Sequence, residues 1–297
     1  MKSRYSKTAN IILNAIIILL CLTCIIPLLL IISISLTSES GIASNGYSLI
    51  PSEWGFEAYK FIWQTRASIL SAYKVTVLVT VLGTLLSTAV IILYAYPLSR
   101  SSFKYKQFFT FYVFFTMLFS GGLVAWYMVC TTVLHLSNTM LALILPYAMN
   151  AWYVIIMRTF YKTSVPEALI ESAKLDGASE IYTFVKIVIP ISVPGIATIA
   201  LFQTLTYWND WWLPLNFITE KSLYNLQFLL QNMLANIEDL TKNENFAQNA
   251  SAAQLANLPT EGARMALCMV ALGPILIVYP FFQKYFIQGL TVGAVKG

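Results

Sequence analysis

Six stretches of the chain, at 11–36, 73–98, 108–131, 139–160, 192–214 and 265–287, are strongly apolar, and each holds at most one charged residue. About 20 apolar residues in helical form cross the hydrocarbon of a bilayer. Each stretch is therefore long enough to span it. Backbone polar groups in hydrocarbon must be satisfied within the segment, which makes helix the spanning form at this length. Of the 297 residues, 58% are hydrophobic and 10% charged, where a soluble domain has roughly a quarter charged. So few charges cannot clothe a water-facing surface of this size. An all-α integral membrane protein is expected. Disorder and a disulfide-stapled secreted domain are excluded.

The first stretch follows Lys2, Arg4 and Lys7, as a signal peptide's would. Its apolar run is too long for one and no small-x-small cleavage site stands out, so a retained anchor helix is expected. Cys21, Cys24, Cys130 and Cys268 all fall in apolar stretches and read as buried thiols. Cys21-x-x-Cys24 has redox spacing without the βαβ context that gives it meaning. Pro27, Pro97, Pro146, Pro190, Pro194, Pro214, Pro274 and Pro280 lie in or at the ends of spans. They either kink helices or mark their ends.

Placing the N-terminus inside puts twelve Lys and Arg on inner segments, among them Arg100, Lys104, Lys106, Arg158, Lys162, Lys174 and Lys186, and six outside. That asymmetry puts both termini in the cytoplasm. The net charge of +5 is then largely an orientation signal, not a sign of nucleic acid.

Two outer loops are long. Residues 37–72 carry Trp54, Tyr59, Phe61 and Trp63 among polar residues, which suits a helix near the headgroups. In 215–264, Leu226, Leu229, Leu230, Met233, Leu234, Ile237 and Leu240 recur at helical spacing. That helix could pack on the bundle or dock an extracellular partner. The polar tract from Asn243 to Pro259 reads as an exposed loop.

The inner loop 161–190 is built differently. Ser164 and Glu167 have capping-box spacing, with Pro166 between them. Ala168, Leu169, Ala173 and Leu175 make a short helix. Gly177 fits a stop that needs positive φ, and Ser179 can cap a second helix from Glu180 to Ile189. This is a compact helix–turn–helix knob. It either enters a cleft of a soluble partner or is simply a connector.

Glu171-Ser172-Ala173, then Gly177, then Ile187-Val188-Ile189-Pro190 resembles the signature loop of the membrane permeases of bacterial binding-protein-dependent ABC importers. Ser172 stands where that family usually has Ala, and is also small. Phe119-Ser-Gly-Gly, Asp176-Gly-Ala, Tyr207-Trp-Asn-Asp, and the ending from Tyr279 to Gly297 resemble the carbohydrate-uptake branch. Within that branch they resemble the oligosaccharide and polysaccharide-fragment subgroup, and a subunit similar to the smaller permease of the maltose-type importer. Ala125 departs from the Pro expected there, which bears on one local bend.

The resemblance implies a type I importer permease fold with six spans and a cytoplasmic coupling loop. It implies a homologous second permease, an ATPase dimer beneath, and an extracellular solute-binding protein that delivers the sugar. Transport would proceed by alternating access. Glu167, Glu171, Ser172, Ala173, Asp176 and Gly177 would couple to the ATPase. Glu171 either pairs with a basic residue there or caps its own helix. ATP and Mg²⁺ would be used by the partner ATPase subunits, with no cofactor bound by this chain, which has no Gly-x-x-x-x-Gly-Lys-Ser/Thr motif.

Sugars are held by aromatic faces and by side-chain amides and carboxylates. Asn150, Trp152 and Tyr153 of the fourth span, and Gln203, Trp208, Asn209 and Asp210 of the fifth, offer that chemistry. The competing reading for the second group is an aromatic belt, with Trp211 and Trp212, and a capped helix end. His135, the only histidine, reads as a surface residue. An intramembrane enzyme lacks a catalytic pair here. A stand-alone secondary transporter would carry repeated halves and coupling charges within its spans, and neither is evident.

Overall fold

The structure is a computed structural model that describes residues 7–242 and 261–274. The tract 243–260 and the C-terminal segment from 275, including the expected loop, most of the sixth span and the terminal motif, lie outside the described residues. Among those described, the chain is helical throughout: α1 Lys7–Ser35, α2 Glu39–Asn45, α3 Glu57–Gln64, α4 Arg66–Ser99, α5 Lys106–Leu118, α6 Gly122–Met128, α7 Ala151–Ser164, α8 Glu167–Leu175, α9 Glu180–Thr183, α10 Ile189–Ile191, α11 Val193–Trp208, α12 Trp212–Phe217 and α13 Leu226–Lys242, followed by α14 at 261–274. The chain divides into two compact units.

One unit holds residues 7–68, 232–242 and 261–274. Its α1 is exposed along nearly its whole length before Ser33, so Cys21 and Cys24 are exposed rather than buried. In an apolar helix of 29 residues, that surface is suited to lipid. The chain then tightens. Ser38 caps α2 by accepting from the Gly41 N–H at 3.0 Å. Thr37 bridges Trp54, and the Tyr59 hydroxyl lies 3.0 Å from the Ser35 hydroxyl. The segment expected to hold an interfacial helix contains the short α3, with Trp63 exposed and Arg66 4.9 Å over its ring. The Gly262 N–H at the start of α14 donates to Glu39 at 3.0 Å.

The other unit holds residues 69–231. Its α4 is 34 residues long, roughly 50 Å at helical rise, and two buried clusters form against it. Near one end, Val75 and Val79 meet Cys130, Leu143, Tyr207, Leu213 and Phe217. Near the other, Ile91, Ala95 and Leu98 meet Val113, Met157, Tyr161, Ile170, Phe184 and Ile199. In lipid the hydrophobic effect does not press helices together, so close approach of small residues matters more. A Cβ at Gly83 would sit 2.6 Å from Cζ of Tyr207, and one at Gly195 2.8 Å from Phe160.

Two described helices, 8–35 and Arg66–Ser99, are long and apolar enough to cross a membrane unbroken. Three further pairs are bent: Lys106–Leu118 with Gly122–Val133 by 116°, Met140–Tyr147 with Ala151–Ser164 by 50°, and Glu180–Ile191 with Val193–Trp208 by 79°. Gly122 at φ +80° makes the first break, and α6 then runs unbroken through Ala125. Pro194 stands at the start of α11, where its missing N–H costs nothing. The fourth stretch is 3₁₀ turns until Asn150 starts α7.

Candidate functional site

The knob at 165–189 is held by local rules. Val165 precedes proline and is therefore extended (φ −106°, ψ 105°), which ends α7 at Ser164. The expected capping box is thus not formed. Pro166 occupies the cap position of α8 with no side-chain bond, and the Glu167 carboxylate instead accepts from the Ser101 hydroxyl. The stop of α8 follows expectation. Gly177 has φ +78°, its N–H donates to the Lys174 carbonyl at 3.0 Å, and that of Ala178 donates to Ala173 at 2.9 Å. These two bonds make a Schellman end. Ser179 then accepts from the Tyr182 N–H at 3.2 Å, capping α9. The second helix is less regular than expected: α9 passes into a π turn, Phe184–Val188, before α10.

One face of the knob is buried in its own unit. Ile170 and Phe184 belong to the cluster that holds Leu98 and Tyr161, and Ala173 is also buried. Glu180 fastens the turn, with Lys174 at 2.7 Å and the Tyr96 hydroxyl donating at 2.9 Å. These contacts, Lys174 foremost, hold its carboxyl below the ordinary range. The opposite face leaves Leu175 89% and Ile181 77% exposed, with Leu169 and Tyr182 beside them. Glu171, Ser172, Asp176 and Gly177 are exposed too.

The suggested sugar-binding residues separate. Asn150 caps α7, accepting from Trp152 N–H at 2.9 Å and Tyr153 N–H at 3.4 Å. Trp152 is exposed on a groove shared with α5. Tyr153 turns toward α11 and stacks on Phe202 at 5.8 Å. The Asn209 amide donates to Leu205 at the end of α11. Asp210 is buried, and its Oδ1 accepts from the N–H groups of Trp212 (3.1 Å) and Leu213 (3.2 Å) at the start of α12, and from the Tyr147 hydroxyl. Trp208 is buried, 6.5 Å from Tyr73. Two polar atoms in this region are buried without a hydrogen-bond partner among the described residues: Nε2 of Gln203 and Oδ2 of Asp210.

Some functional neighbours have no sequence signal. Tyr96 and Tyr147 are ordinary aromatic residues of apolar stretches until the fold brings them to Glu180 and Asp210. Asn225 could have been found. It precedes an amphipathic run, as a cap does, and it accepts from the Phe228 N–H at 3.0 Å while donating to the Asp210 carbonyl. The helix it starts packs inward, with Leu226, Phe228 and Leu230 buried and the Leu226 N–H on Thr76. His135 is exposed, as expected.

The family described as binding-protein-dependent transport system inner membrane component matches residues 2–292. Among curated relatives, the polygalacturonan/rhamnogalacturonan transport system permease protein YtcP of Bacillus subtilis (strain 168) is 35% identical over 98% of this chain and 99% of its own length. Protein LplC of the same organism is 38% identical over 92% and 90%. Among solved structures, a chain of a bacterial ABC transporter involved in the import of the acidic polysaccharide alginate superposes with a TM-score of 0.80 at 29% identity, covering 96% of this chain and all of that one.

Proposed function

The chain belongs to the binding-protein-dependent transport system inner membrane component family, and from that membership we propose that it passes a saccharide through the membrane of a bacterial cell within an ATP-driven importer. It has the type I ABC permease fold and is a non-catalytic permease subunit. The relatives' names support an oligosaccharide or polysaccharide fragment as the substrate class, with fragments of acidic polysaccharides the first to test. Its partners are a second permease, an ATPase dimer that binds ATP and Mg²⁺, and an extracellular solute-binding protein. Six spans run from 11–36 to 265–287, with both termini in the cytoplasm and the knob of 161–190 facing the ATPase.

One observation carries the coupling role. The knob's inner face is part of the same buried cluster as α4, α7 and α11, while its outer face leaves apolar side chains uncovered. A force on α8 and α9 therefore reaches the spans through packed side chains rather than through a slack linker. Glu171, Ser172 and Asp176 lie around the uncovered face. Ala173 acts from beneath, where its small side chain lets α8 lie close to the core. ATPase closure then biases the spans between inward-open and outward-open states. In the translocation path, Gln203 and Asp210 keep a free polar atom for the sugar, with Trp208 beside them. Asn150 and Asn209 spend their side chains on helix ends.

Gly177 provides the test, because nothing lies within 4 Å of a Cβ built there. Gly177→Ala adds strain of about 1 kcal/mol at positive φ, whereas Gly177→Trp also projects a large ring from the exposed turn. Transport by the assembled complex should survive the first change and fail with the second. Equal, normal transport with both would remove the coupling role of this turn.

A further inference from the structure

A groove of about 600 Å³ runs between α5 and α7, apart from the α11–α12 region, and its Lys106 also lines an adjoining pocket with Val165, Pro166 and Glu167 of the knob. Lys106 and Arg158 line one end of it, and Phe114, Met117 and Trp152 line the rest. Lys106 opens α5, and Arg158, midway along α7, lies near the inner end of the apolar stretch 139–160, so both basic groups belong to the end that adjoins the inner segments. From Lys106 to Met117 is roughly 16 Å at helical rise, close to the hydrocarbon depth of one leaflet.

The polar end carries two basic side chains. Among the described residues, neither Lys106 nor Arg158 has a carboxylate within ion-pair distance. Arg158 is anchored by its Nε–H, which donates to the Leu98 carbonyl at 3.1 Å, leaving its terminal N–H groups available. One turn below Lys106, Thr110 lines the same groove. Two cations at one end and an apolar, aromatic wall along the rest match the order of groups along a phospholipid: phosphate, then acyl chain.

We propose that this groove binds an anionic phospholipid of the inner leaflet. Lys106 and Arg158 hold the phosphate, and the acyl chain lies along Phe114, Met117 and Trp152. The inner placement rests on the orientation given under Proposed function. Basic pockets between spanning helices on the cytoplasmic side are the usual form of such sites.

The test uses the whole transporter complex, exchanged into phosphatidylcholine vesicles containing phosphatidylglycerol, re-extracted, washed in detergent and analysed for retained lipid by mass spectrometry. The wild-type complex should retain phosphatidylglycerol in preference to phosphatidylcholine. K106Q/R158Q should raise the phosphatidylglycerol needed for half-retention roughly thirtyfold. Lys104→Gln should retain the lipid as the wild type does, because it removes the same kind of charge outside the groove. Equal retention by K106Q/R158Q, loss with Lys104→Gln alone, or displacement by inorganic phosphate would overturn the assignment. So would separation of the two permeases in K106Q/R158Q, since the groove would then hold the partner subunit. Failure of the wild-type chain to co-purify with an ATPase would instead strike at the importer reading, which the lipid measurement does not decide.

Discussion

At the scale of single residues, the packing of α4 on α11 turns on Gly83. A Cβ there meets the Tyr207 ring at 2.6 Å, and Tyr207 is itself fixed by donating to the Ile144 carbonyl at 2.9 Å. Gly83→Val should therefore lower stability by about 1–3 kcal/mol, as overpacking does, read as an earlier thermal loss of the monodisperse peak in detergent. Asp210 has a local task as well. Asp210→Ala removes the α12 cap and orphans the Tyr147 hydroxyl, with an expected cost of about 2 kcal/mol. Asp210→Asn keeps an acceptor for the cap and should restore most of that stability. If it also restores transport, the Asp210 charge has no part in moving the sugar. Glu180 gives a pH signature. Its carboxyl is held below the ordinary range by Lys174 and Tyr96. Its contribution is therefore present above the ordinary carboxylate pKa and lost as pH falls through the lowered value. Protease resistance of the knob should drop over that acidic window in the wild type and show a flatter profile in Glu180→Gln.

At the scale of elements, what could be read from the chain was whatever obeys a local rule. Gly177 needed positive φ and has it. Ser179 was placed as a cap and is one. The amphipathic run after Leu226 is α13. The capping box failed because a stronger local rule intervened: Pro166 forces Val165 out of helical space, so Ser164 closes α7 before it can open α8. Apolar length picked out the helical stretches but was silent about the breaks within them. The 116° turn at Ser120–Gly122 and the 3₁₀ turns before Asn150 leave hydropathy almost unchanged. They depend on positive φ at Gly122 and on bonds such as Tyr207 to Ile144, which join distant parts of the chain. The aromatic and amide residues from 150 to 210 looked alike as a composition. Only the fold divides them into caps (Asn150, Asn209), a stacked pair (Tyr153 on Phe202), a groove wall (Trp152) and two buried groups with a free polar atom. For the knob, Ala173→Leu would place a larger side chain under α8, where Ala173 is buried. Its expected effect is a displaced α8 and weaker co-purification of the ATPase, with the permease pair intact.

At the scale of the molecule, the few charges are sorted: with the proposed orientation, Glu167, Glu171, Asp176 and Glu180 are the inner acids, and all lie in the knob. A subunit with this surface is not expected to work alone. The direct measurement is affinity purification of the tagged chain from its own membrane, with identification of co-purifying chains and assay of ATP hydrolysis with and without sugar-loaded solute-binding protein. A second permease and an ATPase should come with the chain, and hydrolysis should rise with the loaded binding protein. A lone chain that transports its sugar on an ion gradient, with no ATPase bound, would contradict the importer reading.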